Sequence, residues 1–192
     1  MQDKPLIVGL GGTGSPNSSS ERLLRHALDQ CAAKGADTLM FDGAALDLPM
    51  YSPSEQARDE KTIALIAGLR RADGVIIASP GYHGTVSGLI KNALDYVQDM
   101  AEDEAVYFEG RAVGLIATAA GWQATGTTLV ALRTVVHALR GWPTPLGVAI
   151  NSTRPFIGDD GTVQDQAVFD QLGIIGRQIV EFARARPLSL AS

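Results

Sequence analysis

The sequence predicts an open, doubly wound α/β fold: a five-stranded parallel sheet in the order 2-1-3-4-5, with helices on both faces. Three observations carry that reading. Strand-like apolar runs alternate with helix-like stretches along the chain, giving five successive βα units. Most of the runs are nearly continuous in apolar residues, as parallel strands covered on both faces must be. The stretches between them repeat their apolar residues at the helical period instead.

In chain order, the first strand covers residues 6–10, and in the helix after it Leu24, Ala27, Leu28 and Cys31 share one face. The second and third strands fall at 38–41 and 74–79. Leu89, Ala93, Tyr96 and Val97 mark the helix that follows the third. The fourth strand, 112–118, leads to a helix with Leu129, Leu132, Val136 and Leu139 on one stripe. Trp142 and Pro143 read as packing punctuation before the fifth strand at 146–150. The last helix carries Val168, Leu172, Ile175, Ile179 and Phe182. No repeat, low-complexity tract or linker divides the chain, so residues 1–192 read as one domain.

Composition narrows the function classes. The chain has 16 basic and 21 acidic residues, a net charge of −5 and no basic run, which speaks against nucleic acid as a partner. No segment approaches the ~20 apolar residues that span a bilayer. A single cysteine, Cys31, excludes an internal disulfide and reads as a small core residue. With no leader segment visible ahead of the first strand, a cytoplasmic location is expected. His26 and His137 lie in helices without metal-ligand spacing, so no metal is expected.

In sheets of this order, ligands sit beyond the carboxyl ends of the strands where strand order reverses, between the first and third strands. The loop after the first strand admits two readings. Gly9, Gly11 and Gly14 spell G-x-G-x-x-G, a dinucleotide fingerprint, with Asp42 as the acidic partner 28 positions further on, where about 20 is usual. Thr13, Ser15, Ser18, Ser19 and Ser20 instead make a hydroxyl-rich loop. Pro16 and Asn17 read as a turn where the fingerprint needs helix interior. One of Ser18, Ser19 and Ser20 then caps a helix with Glu21 in its first turn, leaving an anion site at the helix N-terminus. No Lys or Arg lies in this loop.

The loop after the third strand is Pro80-Gly81-Tyr82-His83-Gly84-Thr85-Val86-Ser87, followed by Ile90-Lys91-Asn92 and Asp95. Pro80 and Gly81 are expected to turn off the strand end and expose backbone N–H groups. Gly84 would permit close approach to a flat ring, and Tyr82 offers an aromatic face. His83 reads either as a hydrogen-bonding group near the ring or as a solvated loop residue. Lys91 and Asp95 read as a surface charge pair within one helix.

These two loops resemble those of the NAD(P)H-dependent FMN reductase family of flavodoxin-like proteins. The family's first loop is Gly-Ser-x-Arg-x-x-Ser-x-Asn-like, and its second is Pro-x-Tyr-Asn-Gly-Ser followed by Leu-Lys-Asn-x-x-Asp. Here Ser15 stands where Arg is frequent and His83 where Asn is frequent. Thr118-Ala119-Ala120-Gly121-Trp122-Gln123 keeps only part of the glycine-rich segment after strand four. The resemblance implies a flavodoxin-like fold and an oxidoreductase that takes hydride from NAD(P)H onto FMN, with no catalytic side chain of its own. It implies FMN phosphate on Thr13, Ser15, Ser18, Ser19 and Ser20. The flavin ring would lie on Pro80, Gly81, Tyr82, His83, Gly84 and Thr85, flanked by Ala119 and Gly121. The alternatives are a flavodoxin-type electron carrier without a nicotinamide site and a Rossmann dehydrogenase holding NAD. The acceptor stays open among free FMN, quinones, azo dyes, nitroaromatics and metal oxyanions. A homodimer or homotetramer is expected, with the apolar, proline-bearing segment 48–53 as the candidate contact.

Overall fold

The computed structural model describes residues 4–158 and 160–185. The chain runs β1 (Leu6–Gly11), α1 (Ser19–Ala33), β2 (Asp37–Phe41), α2 (Glu60–Arg71), β3 (Gly74–Tyr82), β4 (Thr85–Val86), α3 (Gly88–Asp95), β5 (Ala112–Ala119), α4 (Trp122–Ala138), β6 (Trp142–Pro143), β7 (Val148–Asn151) and α5 (Gln166–Ala185). A 3-10 turn over Tyr96–Met100 continues α3. The parallel ladder runs β2-β1-β3-β5, and β6 and β7 both pair with β5 on its far side. The expected order 2-1-3-4-5 therefore holds, with two departures. The fifth strand is broken into two pieces, so Trp142 and Pro143 are sheet residues paired with Ala112 and Val113. The third strand folds back on β4 as an antiparallel hairpin.

Alternation along each strand sorts the core into two layers. Val8, Leu10, Val75, Ile77, Val113 and Leu115 face α2, α3 and α4. Ile7, Ile76, Ala78, Ile116 and Val148 face α1 and α5. Side chains of opposite parity point to opposite faces, so a run of apolar residues is required wherever both faces are covered. Glycines on β1 set how closely α1 can approach. A Cβ at Gly9 would lie 2.8 Å from Leu24 and Leu28, and one at Gly11 would lie 2.9 Å from Leu24.

Local chemistry starts the helices. Ser18 caps α1 by accepting the Glu21 N–H (3.4 Å), Asp59 caps α2 through Thr62 N–H (2.8 Å), and Ser87 caps α3 through Ile90 N–H (3.3 Å). The long connection between β2 and α2 is tied to its own chain. Buried Asn92 accepts the Tyr51 N–H (2.8 Å) and donates to the Pro49 carbonyl (2.8 Å). Arg58 sits over the rings of Tyr51 and Tyr96 while forming a bidentate pair with Asp99 (2.8 and 3.0 Å). Leu48 and Tyr51 of the apolar segment thus pack inward, and Met50 is left 82% exposed. Lys91 and Asp95 pair within α3 at 2.6 Å. Among the described residues no helix is long and apolar enough to cross a membrane.

Candidate active site

The carboxyl ends of β1, β3, β5 and β7 open onto one cleft of about 410 Å³. Its wall is built from Thr13, Ser18, Ser19 and Ser20 on one side and Pro80, Gly81 and Tyr82 on another. Thr118, Ala119, Ala120 and Ser152 close the third. This is the point between the first and third strands where strand order reverses.

The hydroxyl side is shaped by the start of α1. Ser18 Oγ, besides capping the helix, lies 3.2 Å from Ser20 Oγ, and Ser19 opens the helix with an exposed side chain. Thr13 Oγ1 accepts the Ser15 N–H (3.0 Å) and donates to the Ser15 carbonyl (3.1 Å), closing a local turn. Glu21 is 7% exposed beside the helix N-terminus. Its oxygens accept the Asn17 N–H (3.2 Å) and pair with Arg25 (3.2 Å). Free N–H groups, hydroxyls and the positive end of a 15-residue helix make a donor set suited to a phosphomonoester.

The other side is the β3–β4 hairpin. Gly81 pairs with Val86 and Tyr82 with Thr85, leaving His83 and Gly84 as a two-residue turn. Both have positive φ, 51° and 83°, the conformation of a type I′ hairpin turn. The expectation of a turn at Pro80 and Gly81 is corrected: those residues remain in the ladder, and Pro80 sits opposite Thr118. Pairing with β4 carries β3 past the point where the apolar run ends. Gly81 serves packing, because a Cβ there would come 2.4 Å from Thr128 Oγ1 on α4. Gly84 serves the turn. Tyr82 is 53% exposed on the cleft wall.

The cleft brings together Thr13, Ser18, Ser19, Ser20, Pro80, Gly81, Tyr82 and Ala119 of the expected residues. Ser15 is exposed in the turn outside the wall, and His83, Gly84 and Thr85 stand at the hairpin tip. Gly121, at φ 122°, is the N-cap position ahead of α4, and its N–H is held by Asn151 Oδ1 at 3.0 Å. Thr118, Ala120 and Ser152 join the wall without being among the expected site residues, although Thr118 and Ala120 lie in the segment matched to the family's glycine-rich stretch. All three sit at the carboxyl ends of the fourth and fifth strands, and Ser152 is drawn in by donating its N–H to the Ala119 carbonyl (2.9 Å).

The dinucleotide reading fails on geometry. Its third glycine should pack helix against strand, but Gly14 is exposed with no atom within 4 Å of a Cβ there. Asp42, its would-be ribose ligand, instead accepts the Ala45 N–H (2.9 Å) in a turn. Gly9 and Gly11 lie inside β1, so only Gly12, at φ 128° and pressed against Gly43, makes the exit from the strand. Cys31 is fully buried and burial pushes its thiol up to about 12, leaving no thiolate for chemistry at neutral pH.

A parallel sheet of this order, with a hydroxyl-lined anion cradle at a helix N-terminus on its switch point, defines a flavodoxin-like mononucleotide-binding protein. Solved structures agree on the fold. FerB, a flavoenzyme NAD(P)H:(acceptor) oxidoreductase from Paracoccus denitrificans, superposes with a TM-score of 0.75 at 18% identity over 97% of this chain and 100% of that one. The apo form of the NADH:FMN oxidoreductase EMOB gives 0.70 at 22% identity over 98% and 93%. The FMN-dependent NADPH-azoreductase of Staphylococcus aureus is 27% identical over 183 residues, 92% of this chain and 94% of that protein. Residues 5–154 match the NADPH-dependent FMN reductase family model, and the chain belongs to that family. It is an NAD(P)H-dependent flavin oxidoreductase with FMN as its cofactor.

Proposed function

We propose that the cleft is the FMN site, with the phosphate on Thr13, Ser18, Ser19 and Ser20 and the ring against Pro80, Gly81, Tyr82 and Ala119. Ser15, His83, Gly84, Thr85 and Gly121 act one step back, by shaping the loops that carry those residues. The observation that carries the reading is the continuity of the cleft from the N-terminus of α1 to the end of β3. When bound, FMN supplies the two-electron chemistry between reduced nicotinamide and an acceptor. The chain's own part is to bind, orient and shield. The first turn of α1 offers N–H groups and the helix dipole to a dianion. The end of β3 offers a rigid edge, locked by its hairpin and by α4. Tyr82 presents an exposed aromatic surface to the ring or to whatever enters beside it.

We infer that the acceptor is a small molecule entering over this open side, and an azo compound is the first to try because the Staphylococcus aureus relative is an azoreductase. We further read the whole chain as one cytoplasmic domain that assembles as a homodimer or homotetramer. Trp122 and Val130, both strongly exposed on α4 next to the cleft, support a protein contact there. The test is anaerobic addition of NADPH or NADH to the FMN-loaded protein with no other protein present. Rapid bleaching of the flavin band, reversed by an azo dye or a quinone, is the expected result. Bleaching only after a separate reductase is added would make the chain an electron carrier instead. Light scattering during size-exclusion chromatography tests the assembly, and elution as a monomer would refute it.

A further inference from the structure

Residues 13–20 contain no cation, although a phosphomonoester carries between one and two negative charges at neutral pH. Neutral donors and a helix dipole offset only part of that charge. Two guanidinium groups stand at the edge of the cradle. A second hollow of about 300 Å³ adjoins the cleft, shares Ser19 and Ser152 with it, and is lined by Arg22 and Arg154. Arg22 lies one turn along α1 from Ser19, and its Nη1 reaches only the Gly158 carbonyl at 3.4 Å. Arg154 is exposed just beyond β7. Among the described residues neither forms a salt bridge. Asp160 shares a hollow with Arg22 on the side away from Ser152. Its carboxyl is held below the ordinary range chiefly by hydrogen bonds from Thr162, with Arg22 contributing least. Two cations that form no salt bridge among the described residues, lining a space continuous with the anion cradle, suit a phosphate.

We propose that Arg22 and Arg154 form the cationic wall of the phosphate end of the flavin site, supplying the charge that residues 13–20 lack. The inference rests on the FMN reading above. The phosphate of a nicotinamide nucleotide has the same chemistry, so the test separates the two sources. The purified full-length chain is titrated with FMN and with riboflavin, followed by flavin fluorescence, at low and high salt. Arg154→Gln is expected to weaken FMN by about tenfold, the scale of one charge-assisted contact. Riboflavin affinity should stay within about twofold, and the salt dependence of FMN binding should flatten because a screened charge is gone. Arg154→Lys should recover part of the loss. Arg22→Gln should act in the same direction. If wild type binds FMN and both variants keep the wild-type ratio of FMN to riboflavin affinity, the proposal is overturned and the FMN reading stands. If the variants lose NADPH relative to NADH while that ratio is unchanged, the pair serves the nicotinamide nucleotide and the assignment to flavin is overturned. If wild type binds no flavin, both fall together.

Discussion

Gly81→Ala tests how the ring side of the cleft is held. The new methyl group would lie 2.4 Å from Thr128 Oγ1, 3.2 Å from Ala119 Cβ and 3.4 Å from the Ala124 carbonyl. Only the first contact is impossible, and Thr128 is fully buried in α4, so its hydroxyl has no free direction in which to move. That hydroxyl donates to the Thr85 carbonyl at 3.4 Å, joining α4 to β4. Overpacking costs about 1–3 kcal/mol and the displaced hydrogen bond about 1 more, giving roughly 2–4 kcal/mol. For a chain of this size that is a fall in Tm of roughly 4–16 °C. Thr128→Ala alone should cost about 1 kcal/mol, by losing the hydroxyl. The double variant should cost at least about 1 kcal/mol less than the sum, because removing Oγ1 relieves the clash. Urea unfolding of all four proteins, followed by circular dichroism, reads the cycle. A Gly81→Ala protein within about 0.5 kcal/mol of wild type, or strict additivity with Thr128→Ala, would refute the reasoning.

Other consequences follow from single residues. His83 holds φ 51° in a type I′ turn whose favoured pair is Asn-Gly, so His83→Asn should raise stability by about 0.5 kcal/mol in the same unfolding assay. Asn92→Ala leaves the Tyr51 N–H without its acceptor and removes one of the two donors to the Pro49 carbonyl, which keeps the Tyr96 hydroxyl at 3.1 Å. It should cost about 1–2 kcal/mol and expose residues 48–58 to limited proteolysis. The Asp59 carboxyl is held below its ordinary 3.8 by hydrogen bonds from Thr62. Its contribution is therefore complete above about that pH and lost as pH falls through the lower folded value, so Asp59→Asn should narrow the acid-side loss of stability between the two. Cys31 should not react with a thiol reagent in native protein at neutral pH and should react once when urea is added. Fast labelling of native protein would contradict its burial.

What could be read from the chain was whatever depends on near neighbours. The five βα units and their order were legible because covered parallel strands leave continuous apolar runs, as in residues 74–79. A serine cap within residues 18–20 was legible because it needs only a hydroxyl, a turn at Pro16 and Asn17, and an acidic residue in the first turn; that Ser18 is the one was not. The hairpin was not, since Tyr82 and Thr85 carry no alternation long enough to announce a strand, and His83 hides the usual Asn-Gly turn signal. The break between β6 and β7 was hidden because Trp142-Pro143 resembles a loop until Ala112 and Val113 pair with it. Roles set across the sheet were likewise invisible. Gly81 is fixed by Thr128, Ser152 by Ala119, and Asn92 by a loop more than forty residues away.

FMN is proposed to occupy the cleft between the start of α1 and the end of β3. Amide hydrogen exchange of the purified chain with and without saturating FMN tests it most directly. New protection is expected in the first turn of α1 from Ser19 to Glu21, in residues 81–85 of the hairpin and in residues 119–121 at the end of β5, with β2 and the C-terminal half of α5 unchanged. Protection centred elsewhere, or none at flavin concentrations that saturate the protein's own flavin signal, would contradict it.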